Sequence, residues 1–136
     1  MFSIHSVSSD RELIFRHHLE KYFQVELKSA SISLATDVWA TAEYYELNTF
    51  FQQLASFKTP WQGTQSWGSF EREFEISATC TTLGQVIFLV KLSGLSGNAE
   101  EWQGQTGLET EFGQLEKIAW NANIFFKTED FGTYEE

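Results

Sequence analysis

The stretch Phe74-Glu75-Ile76-Ser77-Ala78-Thr79-Cys80, Thr81-Thr82-Leu83-Gly84, Gln85-Val86-Ile87-Phe88-Leu89-Val90-Lys91-Leu92 decides the fold class. In its first part Phe74, Ile76, Ala78 and Cys80 alternate with Glu75, Ser77 and Thr79. That period of two is the signature of a strand with one dry face. Thr81–Gly84 carries the chemistry of a hairpin connection. In the second part Val86, Phe88, Val90 and Leu92 share one face while Ile87 and Leu89 share the other, so both faces are apolar. The reading is an antiparallel hairpin whose second strand is central in its sheet and covered by helix on at least one side. Glu71, Glu73 and Glu75, two residues apart, fall on the outward face of the first strand.

Upstream the same alternation recurs. Phe2 and Ile4 precede a Ser8-Ser9-Asp10 turn. Leu13, Phe15 and His17 follow, then Phe23, Val25 and Leu27. The inward set then shifts parity to Ala30, Ile32 and Leu34 without a Gly or Pro, which predicts a β-bulge near Lys28-Ser29. Over residues 42–58 the period changes. Leu47, Phe50, Phe51, Leu54 and Phe57 make one helical stripe. Thr41 is its expected N-cap, Glu43 and Glu46 suit its positive end, and Pro60 closes it.

Residues 61–69 read as a loop or short edge strand and Glu100–Thr106 as a short strand. A second helix is predicted over 112–125, with Leu115, Ile118, Ala119 and Ala122 on its stripe, reaching Phe125 and Phe126. An acidic tail begins at about residue 127. Runs of strands interrupted by two helices predict an α+β fold: an antiparallel β-sheet with the two helices packed on one face. The 136 residues are expected to form a single domain spanning 1–136. No βαβαβ alternation is present, which argues against a Rossmann-like sheet.

The chain carries 19 acidic and 9 basic residues, a net charge of −10. Residues 1–28 hold four of each, so the whole excess lies in residues 29–136. Such a surface repels phosphate backbones and anionic headgroups, which argues against nucleic acid and membrane as partners, and it steers in a basic protein. The start, Met1-Phe2-Ser3-Ile4-His5, has neither a basic n-region nor an apolar run, so a cytoplasmic location is expected.

Cys80 is the single cysteine, which excludes an intrachain disulfide and a Cys-rich zinc site. With no basic neighbour in sequence it reads as a small core residue. His17 and His18 are adjacent and point to opposite faces of a strand, a poor arrangement for one metal. No cofactor motif is found: Gly94-Leu95-Ser96-Gly97 lacks the Lys-Ser/Thr of a phosphate loop.

The residues that point to binding are aromatic. Trp61, Trp67 and Trp102 lie beside glycines or polar residues, and Glu100-Glu101 stands next to Trp102. Exposed, such rings are interface anchors. Buried, they pack under loops with the indole N–H bonded to a carbonyl.

A spaced pattern joins these landmarks: Leu54-Ala55, Trp61-x-Gly63, Trp67-x-Ser69, Gly84-Gln85-Val86 with Val90 and Leu92, Trp102, and Glu111-x-Gly113-x-Leu115. Over roughly residues 45–120 it resembles a family of short bacterial single-domain proteins of unknown function. The resemblance implies an α+β domain and no established activity. It also implies Gly-His-Val where this chain has Gly84-Gln85-Val86.

Three functions remain as expectations. The first is a non-enzymatic interaction protein that binds a basic partner, in the manner of an immunity or antitoxin-like inhibitor, through Trp61, Trp67, Glu100, Glu101 and Trp102. The second is a small-ligand binder at the Trp-rich region, with Gln62, Gln65 and Gln103 as polar contacts. The third, ranked last, is a glutamate-dependent hydrolase, which needs two carboxylates converging in a cleft.

Overall fold

The computed structural model describes residues 1–18, 21–39 and 42–127, with the backbone alone for 42–45. The first half runs β1 (Phe2–His5), β2 (Glu12–His17), β3 (Tyr22–Lys28), β4 (Ser33–Trp39) and α1 (Ala42–Ser56). The second half runs β5 (Gln65–Gly68), β6 (Phe74–Cys80), β7 (Gln85–Gly94), β8 (Trp102–Glu111), a 3-10 turn at Phe112–Gln114, and α2 (Leu115–Lys127). Each half is therefore four strands followed by one helix. The fold is α+β, as the sequence predicts.

The strands do not form the expected single sheet. They divide into two four-stranded antiparallel sheets, ordered β1-β2-β3-β4 and β5-β6-β7-β8. The physical reason lies in the dry faces. A sheet with one apolar face must bury it against another layer. Here Phe15 of the first sheet meets Phe74 of the second at 5.8 Å between ring centroids. The helices complete the enclosure, through Phe51 of α1 and Phe125 and Phe126 of α2, all packed near Phe2 and Phe15.

Backbone and side-chain bonds tie the two sheets at their borders. The Thr36 hydroxyl donates to the Ser93 carbonyl at 3.1 Å. The loop after β1 seats on β8, where Val7 N–H donates to the Glu109 carbonyl and Glu109 N–H to the Ser6 hydroxyl. Leu34 of β4 lies directly over Gly104 of β8, where any Cβ would collide with it.

The hairpin read from residues 74–92 is present. β6 and β7 pair antiparallel from Phe74↔Leu92 to Cys80↔Val86, and β7 is central between β6 and β8. The face that carries Leu89 is open to solvent there, Leu89 being 44% exposed.

The parity change at Lys28-Ser29 is a hairpin turn rather than a bulge. Leu27 pairs with Leu34, so β3 and β4 are separate strands, and Val38 rather than Ala30 reaches the core. Serine supplies the turn chemistry that Gly or Pro would otherwise give. The Ser29 hydroxyl accepts from Ile32 N–H, and the Asp10 carboxylate accepts from Ala30 N–H.

Glu73 is likewise not on an outward face. It is buried against the Ser69 hydroxyl, which also accepts from Phe74 N–H. Ser69 N–H donates to the Phe74 carbonyl, closing the loop between β5 and β6. Of the expected capping residues of α1, Thr41 and the side chain of Glu43 lie outside the described residues, as does the tail beyond residue 127. α2 has Glu116 in its first turn and Lys127 in its last, the charge order its dipole favours.

Cys80 sits half-buried at the end of β6, packed at the edge of the core. Burial pushes its thiol above the usual range, against a smaller lowering by the Trp61 backbone. The group stays protonated near neutrality and is a weak nucleophile.

Two outcomes follow from the core. Phe15→Ala should destabilise the protein by about 3–5 kcal/mol in urea unfolding, while Leu83→Ala on the exposed hairpin tip should change stability by less than about 0.5 kcal/mol. Iodoacetamide should alkylate Cys80 more slowly in the native protein than in the urea-unfolded chain at the same pH. Equal rates would show a freely ionising thiol.

Candidate functional site

Trp61 is 6% exposed. Its indole N–H donates to the Ala78 carbonyl at 3.3 Å, and its ring stacks on Phe57 at 5.1 Å. It closes the core beneath the loop that follows α1. Trp67, on the edge strand β5, is half-buried and packs edge-on against Phe74. Its indole N–H is buried without an acceptor among the described residues.

Trp102 opens β8 opposite Gly94 and is 36% exposed. Its indole lies flat over Gly94, where a Cβ would collide with the ring. Glu101 is occupied in holding the adjoining loop: its carboxylate accepts from Ser96 N–H and Gly97 N–H, both at 3.0 Å. Glu100 is exposed, and its backbone N–H donates to Asn98.

These residues do not form one site. β5, with Trp67, and β8, with Trp102, are opposite edges of the second sheet.

The most exposed tryptophan is Trp120 on α2, at 69%, with Ile124 one turn further at 47%. Both lie off the stripe Leu115, Ala119, Ala122 and Phe126 that α2 buries. The helical period of 3.6 residues already places them on the far side in the sequence; reading Trp as a loop signal missed this.

Beside Trp120 runs a groove of about 680 Å³ between α1 and α2, lined by Asn48, Gln52, Ala119, Trp120 and Asn123 among others. Asn48 donates to Asn123, while Gln52, four residues on, donates to the carbonyl of Ala119, four residues back. The helices therefore run antiparallel. Gln52 also donates to the side-chain oxygen of Asn48. This amide ladder satisfies Asn48, which is buried, and sets the register of the helix pair. The wall that carries Trp120 is thus a braced surface.

A second cleft, of about 600 Å³, opens on the outer face of the second sheet. Arg72, Glu75, Leu89, Lys91 and Trp67 line it with Ser66, Ser77 and Gln105. Sequence reasoning had Glu75 on a solvated face with Arg72 or Lys91 nearby.

The three histidines have different partners. His5 meets Glu12 at 3.2 Å, His18 meets Asp37 at 2.7 Å, and His17 stacks on Phe125 at 4.1 Å. Among the described residues no three His, Cys, Asp or Glu side chains stand together as a metal site. No helix there is long and apolar enough to cross a membrane.

No curated protein and no solved structure matches the chain. A family model described as a family of unknown function, DUF6228, matches residues 8–129. The matched span takes in β2 through α2, hence seven of the eight strands and both helices. The chain belongs to this family of unknown function, DUF6228.

Proposed function

We propose that this protein is a non-enzymatic interaction protein that binds a basic protein partner, in the manner of an immunity or antitoxin-like inhibitor, and that the helix-pair face around Trp120 is its main contact. The carrying observation is Trp120, 69% exposed on a braced helix of a chain with net charge −10. A large ring held in water costs solubility, and interface anchors are enriched in Trp.

Glu116 stands four residues before Trp120, on the same side of α2, and lines the same groove. A Lys or Arg of the partner would meet the indole face and the carboxylate together, combining cation–π attraction with charge pairing. The net charge would speed the encounter and disfavour nucleic acid and anionic membranes. The loop at Glu100 and Trp102 offers a second acidic and aromatic spot, with Glu101 committed to the loop itself.

Charge and ring should separate by mutation, since rim charge governs association and a buried anchor governs dissociation. Partners are identified by co-purification from the protein's own cells and measured by surface plasmon resonance. Trp120→Ala should speed dissociation by an amount worth about 2 kcal/mol. Glu116→Gln should slow association and flatten its salt dependence. A partner of acidic pI, or one bound equally well by Trp120→Ala, would defeat the reading.

A further inference from the structure

The cleft on the outer face of the second sheet lies away from Trp120 and holds an unusual grouping of charge. Arg72 Nη1 stands 3.6 Å from Glu75 Oε2, and Lys91 Nζ stands 3.9 Å from Glu75 Oε1. Two cations thus share one carboxylate. Both distances exceed the roughly 2.7–2.9 Å of a strong charge-assisted bond, so neither cation is saturated.

Glu75 and Lys91 are direct cross-strand neighbours. Arg72 arrives from the loop between β5 and β6. Its φ is +65°, left-handed backbone that a long side chain rarely adopts. The loop closes around it, with Arg72 N–H donating to the Ser69 carbonyl at 3.0 Å. The guanidinium is laid against Gly68, where a Cβ would displace it. A glycine at 72 would suit that backbone better. The arginine there puts a guanidinium over the sheet face.

The rest of the lining is mixed. Leu89, 44% exposed, supplies an apolar floor next to Gly107 of β8, which adds no side chain to cover it. Ser66, Ser77 and Gln105 supply hydrogen-bonding groups, and the edge strand β5 contributes Trp67, whose ring packs on the core side against Phe74. Glu46 of α1 also lines it, on the side of the edge strand β5, while Lys91 lies two strands in on β7. The positive surplus is therefore local to the Arg72–Lys91 end. The volume of about 600 Å³ is that of a small-molecule site.

We propose that this cleft binds a small organic carboxylate. The anionic group takes the place of Glu75 between Arg72 and Lys91, and the apolar body rests on Leu89. A chain at −10 would otherwise repel such a ligand, and the shared carboxylate keeps the two cations in place until the ligand arrives.

The test is a titration of the isotopically labelled full chain with benzoate, benzamide and inorganic phosphate. The readout is the set of backbone N–H resonances of Ser77, Leu89 and Gln105, which line the cleft. Benzoate should shift them saturably, with benzamide and phosphate far weaker. Arg72→Gln and Lys91→Gln should each weaken benzoate by about tenfold. Arg72→Lys should retain binding, and Glu75→Gln, which removes the internal competitor, should tighten it. Trp120→Ala should leave benzoate binding unchanged, which separates this site from the partner surface. The proposal is overturned if benzoate gives no saturable shift. It is equally overturned if benzamide or phosphate binds as well, or if folded Arg72→Gln and Lys91→Gln bind benzoate as the parent does.

Discussion

The packing of one ring, Phe15, joins the parts of this protein. Its neighbours are Phe2 and Phe23 in its own sheet, Phe74 in the other sheet, Phe51 on α1, and Phe125 and Phe126 on α2. Ring centroids at 5.0–6.4 Å lie within the range where aromatic pairs attract beyond simple burial. Neither sheet is complete without it, because each presents an apolar face that only the other layers can cover. With no disulfide to help, the orientation of both sheets and both helices rests on this aromatic contact set and on the polar ties at its border.

Much of this was legible. The hairpin at 74–92 could be read because alternation along one strand and two-sided apolarity along the next specify which is half-buried and which is central. The division into two sheets could not. Periodicity tells which face of a strand is dry and is silent on which strands share a ladder, so the strands read as one sheet until the Phe15–Phe74 contact is seen. The turn at Ser29 was hidden for a different reason. Ser29-Ala30-Ser31 carries the same turn chemistry as Ser8-Ser9-Asp10, but the apolar alternation running on through Ala30, Ile32 and Leu34 read as one continued strand. Glu73 was misplaced because its burial depends on Ser69, four residues earlier, folding back on it.

The candidate sites were less legible than the fold. Trp61 and Trp102 sit beside glycine, which reads as a loop. One of these rings closes the core and the other lies over a strand residue. Trp120 drew no attention because it sits in a helix, although its position off the buried stripe is plain arithmetic. The Arg72–Glu75–Lys91 grouping needed the cross-strand register and a left-handed residue in a loop, neither of which spacing reveals. The family match spans every element but β1 and adds no activity, so any function must be argued from these surfaces.

The two-fold recurrence of four strands and a helix has a consequence for how the chain is made. α2 packs on β1, and α1 packs on β5. Each helix therefore reaches into the half that did not produce it. Phe2 is synthesised more than a hundred residues ahead of Phe125 and Phe126, which cover it. During synthesis the first sheet must wait with its dry face open, a long-range closure of the kind that slows folding and exposes a chain to misassembly. Residues 1–28, which hold β1, β2 and β3, carry no net charge, so these waiting strands have no charge surplus of their own to hold neighbouring copies apart.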